Sequence, residues 1–110
     1  MTRAALLLAV LLGAAPQPHP ETVVVSYHVK HGQEKALEQV LREAWTMMRT
    51  LDLVLESPHA IVASDALYVE VFTWKDSDTP DHAPPAVQKL WNRMNQLARI
   101  EILEGRLVTP

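Results

Sequence analysis

The stretch Leu67-Tyr-Val-Glu-Val-Phe-Thr-Trp74 constrains this chain more than any other. β-Branched and aromatic residues alternate along it with a period of two, and Lys75-Asp76 ends the run in a polar turn, which is a strand signal. One face carries Leu67, Val69, Val71 and Thr73, and the other carries Tyr68, Glu70, Phe72 and Trp74. Neither face suits water. A fold that contains this strand must cover both, and must house a carboxylate among aromatic rings.

The flanking segments supply the covering elements. Thr22–Val29 reads as a first strand, with Val23, Val25, Tyr27 and Val29 on one face and Val24, Ser26 and His28 on the other. Lys30-His31-Gly32 turns the chain. The period then becomes helical from about Gln33 to Leu51, with Leu37, Val40, Leu41, Ala44, Met48 and Leu51 on one stripe. Leu53–Ala63 is a second strand region interrupted at Pro58, which cannot donate to a ladder and implies a bulge or an edge. His59 beside it could reach the barrel mouth, but reads first as solvated. Ser64-Asp65-Ala66 is short enough for a hairpin into the central strand. Pro84-Pro85 open a second helix to about Arg99, its stripe being Val87, Leu90, Trp91, Met94, Leu97 and Ala98. Ile100–Val108 forms a weak last strand with a bulge at Gly105.

The order β-α-β-β-α-β predicts an α+β ferredoxin-like fold, an antiparallel sheet with both helices on one face. Two helices cover one sheet face only. The aliphatic set of the central strand is expected beneath them, leaving Tyr68, Phe72 and Trp74 on a bare face that closes against a second copy. The expected assembly is a homodimer built through that face, a dimeric α/β barrel.

Residues 1–15 have the three-part pattern of a secretory signal peptide: Arg3, an apolar run from Ala4 to Leu12, then Gly13-Ala14-Ala15. The run is shorter than the roughly 20 residues that span a bilayer. Residues 16–21 are a Pro-rich spacer, and 22–108 the folded domain. The protein is therefore expected to be periplasmic or secreted, with no stable membrane association after cleavage. The net charge is −3, one unit more negative once Arg3 is lost. No basic patch suggests a nucleic-acid partner. The chain has no cysteine, which excludes disulfides, thiolate chemistry and a lipid anchor on cysteine. A domain of about 90 residues without disulfides buries little surface alone, a second argument for a dimer.

The Tyr27-His-Val-Lys-His-Gly-Gln33 strand-to-helix entry, Val69-Glu-Val-Phe-Thr-Trp-Lys-Asp76, and Asp81-His82 ahead of the helix with Leu90-Trp91 carry a resemblance. Over 22–108 the chain resembles the antibiotic biosynthesis monooxygenase-like group of the dimeric α/β-barrel superfamily. The resemblance implies a dimer with a pocket between sheet and helices in each subunit. It implies either cofactor-independent oxygenation of an aromatic or quinol-like small molecule, or haem degradation.

In a split βαβ sheet the first and third strands are neighbours. Ser26 and His28 are then expected on one face with Tyr68, Glu70, Phe72 and Trp74. His28 and Glu70 form the candidate catalytic pair, a general base for a phenolic or quinol proton. Ser26, Tyr68, Phe72, Trp74, His82 and Trp91 are the candidate substrate-binding residues. A haem site resembling that of the haem-degrading relatives would use His82, Trp74 and Trp91, but Ser26 or His28 stands where an Asn is wanted, so the expectation is no cofactor, with haem kept as the lesser alternative. His28 and His31 differ by an odd number and point apart on a strand, and no ligand-spaced cluster marks a metal site. The alternative is a non-catalytic small-ligand-binding or structural dimeric module.

Overall fold

The structure, a computed structural model, describes residues 19–106 and residue 108. The expected signal segment, residues 1–15, lies outside the described residues. The elements are β1 (Glu21–Val29), α1 (Glu34–Thr50), β2 (Val54–Ser64), β3 (Leu67–Trp74), a one-turn 3-10 helix (Thr79–His82), α2 (Pro85–Leu97) and β4 (Ala98–Gly105). The strands form an antiparallel sheet in the order β2-β3-β1-β4, so β1 and β3 are central neighbours. This is the ferredoxin-like α+β fold expected from the element order.

Each element follows from its pattern. The α1 stripe of Leu37, Val40, Leu41, Ala44 and Met48 is buried, while Leu51 lies past the helix end and is exposed. Pro85 starts α2, whose buried residues are Val87 and Met94, with Leu90, Trp91 and Leu97 half-buried. Helix α2 ends earlier than its apolar pattern suggests, because Ala98 is already extended (φ −154°, ψ 155°) and β4 begins there. Gly105 closes that strand rather than bulging within it. The hairpin between β2 and β3 pairs Ser64 with Leu67, and Asp65 takes φ 53° in the two-residue turn.

The two faces of the sheet are the reverse of those expected. Directly opposite residues in an antiparallel pair share a face. Here Val23 pairs with Phe72, Val25 with Glu70 and Tyr27 with Tyr68. Tyr68, Glu70, Phe72 and Trp74 therefore lie under the chain's own helices, joined to the Val23, Val25, Tyr27 and Val29 face of β1, and all are buried. The bare face carries the aliphatic set: Val24 beside Val71 and Leu103, and Val69 beside Val62. Stepping the register by one residue exchanges the faces, so alternation within one strand leaves this choice open. The pairing of β1 with β3 sets it, and burying each such side chain beneath the helices stabilises the fold by roughly 1.5–3 kcal/mol. Among the described residues, no helix is long and apolar enough to cross a membrane.

Candidate functional site

Glu70 is the centre of the covered face. It points toward the helices from the middle of β3 and is 3% exposed. A buried carboxylate is costly unless its oxygens accept hydrogen bonds, and two neighbours supply them. Tyr27 on β1 donates its O–H to Glu70 Oε1 at 2.8 Å, and His59 Nε2 on β2 stands 2.9 Å from Oε2. Both occupy diagonal positions, since Val25 and Ile61 are the residues directly opposite Glu70.

His59 reaches this site through a break in β2. Val54 pairs with Trp74 and His59 with Phe72, so five steps along β2 match two along β3. An odd mismatch switches which residues face inward: Val54 is buried, and beyond the break it is His59, Ile61 and Ala63 that share the inner face. The imidazole then lies flat on Trp45 of α1, with ring centroids 3.5 Å apart and planes at 6°. Trp45 meets Phe72 edge-on at 6.3 Å, Phe72 meets Trp74 at 5.0 Å, and Trp74 meets Trp91 of α2 at 5.9 Å.

Of these rings Phe72, Trp74 and Trp91 wall a cavity of about 280 Å³ between sheet and helices. Tyr27, Phe72, Trp74 and Trp91 supply aromatic surface, Val25 and Met94 aliphatic surface, and Glu70 the buried polar group. Ile102 and Glu104 line it on β4. Burial, then the charge of Glu70 and the hydrogen bond to it, push the Tyr27 phenol well above its ordinary value. Tyr27 therefore stays protonated and donates. Tyr68 is pushed up as well, chiefly by its 2.7 Å hydrogen bond to Glu38 of α1 and then by burial.

An alkaline prediction follows. A phenol whose folded pKa is raised stabilises the fold below its unfolded value of about 10, and that contribution is lost as pH rises above it. Stability should fall by roughly 1.4 kcal/mol per pH unit above pH ~10 on account of Tyr27. Urea titrations on both sides of that pH should show Tyr27→Phe losing the smaller amount; equal slopes in variant and wild type would contradict it.

The sequence-predicted residues separate into two groups. Glu70, Phe72, Trp74 and Trp91 line the cavity. Tyr68 shares their face, but its hydroxyl is taken by Glu38 and it is not part of the lining. Ser26 and His28 lie on the opposite face, because they pair with Val69 and Leu67. His28 Nε2 is 3.6 Å from Glu101 there, so the expected His28–Glu70 pair does not form. His82 is exposed in the 3-10 turn and does not line the cavity, so of the haem-like set only Trp74 and Trp91 meet there. Sequence reasoning missed Tyr27 as a partner of Glu70, and it left His59 in solvent. The signal for His59 was Pro58, which marks the bulge without saying how many residues it absorbs. Among the described residues, no group of three or more His, Asp or Glu is placed to hold a metal ion.

Solved structures share this fold. SnoaB from Streptomyces nogalater, a cofactor-independent oxygenase, superposes with a TM-score of 0.70 at 19% identity, covering 83% of this chain and 95% of its own. The fold is that of the antibiotic biosynthesis monooxygenase-like proteins. An antibiotic biosynthesis monooxygenase matches with a TM-score of 0.66 at 17% identity, over 81% of this chain and 99% of its own. A protein of this fold from Mycobacterium tuberculosis matches at 0.67 and 13%, over 84% and 98%. No family model matches the chain, and no curated protein matches it in sequence.

Proposed function

We propose that this protein is an exported homodimer that binds an aromatic or quinol-like small molecule in the cavity and oxygenates it without a cofactor. One observation carries the reading: a cavity with four aromatic side chains in its lining contains a single nine-tenths-buried carboxylate, Glu70. As a base, Glu70 takes the proton of a phenol or activated ring carbon, and the electron-rich anion reacts with dioxygen. One oxygen atom enters the ligand and the other leaves as water with two ligand hydrogens. Tyr27 and His59 hold both carboxylate oxygens in place, so the base is positioned before the ligand arrives. The likeness to a cofactor-independent oxygenase supports the reaction class. The test is dioxygen uptake with a panel of quinols and anthrones, wild type against Glu70→Gln; no uptake by wild type across the panel removes the oxygenase reading.

The second reading is a binding module without turnover. It is favoured by the internal satisfaction of Glu70, whose two hydrogen bonds need no ligand. Ligand binding without uptake would select it.

The bare aliphatic face supports the dimer. Val62 and Leu103 are 68% and 69% exposed, and they flank Val24, Val69 and Val71. A second copy covers such a strip with like residues. Sedimentation at micromolar concentration should give a dimer, and Val69→Asp, which places a charge at its middle, a folded monomer. A monomeric wild type overturns this. Export rests on Arg3, the Ala4–Leu12 run and Gly13-Ala14-Ala15.

A further inference from the structure

The cavity has a sign. Among its lining residues are two carboxylates, Glu70 and Glu104, and no lysine, arginine or histidine. We propose that it selects aromatic ligands bearing a protonated amine and disfavours the same ring system bearing a carboxylate. This rests on the reading of the cavity as a ligand site and narrows the ligand class to aminated aromatics.

Three features of the cavity point the same way. Tyr27, Phe72, Trp74 and Trp91 offer ring surfaces, whose negative faces attract a cation and hold a flat hydrocarbon body. Glu70 lies inside, with both oxygens fixed by Tyr27 and His59. Glu104 lies exposed on the edge strand β4 opposite Val23, with Glu21 of β1 one diagonal step away. Burial and the Glu104 charge push the Glu21 carboxyl above its ordinary value, as expected where like charges crowd. A ligand ammonium relieves that crowding, whereas a ligand carboxylate adds to it. Lys75, Arg99 and Arg49 pair with Asp52, Glu101 and Glu56 outside the lining, and the cationic partner in reach of Glu70 is His59 at 2.9 Å, which leaves Glu104 as the carboxylate without such a neighbour among these pairs. The cavity is the site, and the carboxylates decide which charge it accepts.

The experiment compares three probes on one skeleton by titration calorimetry at neutral pH: naphthylmethylamine, naphthalenemethanol and naphthoate. With the full-length protein, the amine should bind at least about ten-fold more tightly than naphthoate, the alcohol falling between, a gap of about 1.4 kcal/mol. In Glu104→Gln that gap should narrow by about three-fold or more. Naphthoate binding as tightly as the amine, or a gap unchanged in both Glu104→Gln and Glu70→Gln, overturns the inference. Binding of the alcohol without discrimination between the charged probes sinks this inference and leaves the proposed function standing. Failure of all three to bind removes the ligand site and the inference with it.

Discussion

Glu70→Gln should abolish dioxygen uptake while leaving the fold in place. Loss of a general base typically costs a factor of 10²–10⁴, and an amide has no basic lone pair to replace the carboxylate. The swap is close to isosteric, so the packing against Phe72 and Tyr27 is kept. Its hydrogen bonds can be re-made: the amide oxygen accepts from one neighbour, while the amide N–H donates to the Tyr27 oxygen or to the unprotonated His59 nitrogen. The stability change should then be on the order of 1 kcal/mol. Glu70→Leu is the contrasting variant. It leaves the Tyr27 hydroxyl and the half-buried His59 nitrogen without their acceptor, at about 1–3 kcal/mol for the buried hydroxyl. Urea unfolding of both variants, read with uptake, separates chemistry from folding. Unchanged uptake in a folded Glu70→Gln protein would remove Glu70 from the reaction.

Trp74→Ala should cost roughly 3–5 kcal/mol, the range for truncating a large core aromatic. Trp74 is 4% exposed and meets both Phe72 and Trp91 edge-on, so it ties β3 to α2. In a domain of this size that loss lowers Tm by more than about 10 °C, and it consumes much of a total stability of about 5–15 kcal/mol. Val69→Ala, on the bare face of the same strand, should cost less than half as much in the monomeric chain. Thermal unfolding followed by circular dichroism orders the two. The opposite order would mean that the rings do not pack beneath the helices.

Much of this molecule is legible without coordinates. The two-residue period at Leu67–Trp74, the helical stripe from Leu37 to Met48 and the Pro84-Pro85 helix start are local signals, and each became the element it indicates. Their order was enough to place β1 beside β3. That Glu70, Phe72 and Trp74 share a face also follows from one strand alone. The identity of the opposite partners does not. His28 looked like the partner of Glu70 because the register between β1 and β3 is a property of two strands, and one step of it exchanges Tyr27 for His28.

His59 shows the same limit more sharply. Pro58 announces a disturbance in β2, yet only the paired sheet shows that five residues of β2 oppose two steps of β3, which turns His59 inward onto Trp45 and Glu70. Sequence by itself determined the elements, their order and the residues that travel together on each face, because those depend on neighbours a few positions apart. Tertiary structure decided which face meets the helices and which imidazole meets the carboxylate, because both depend on alignment between strands distant in the chain.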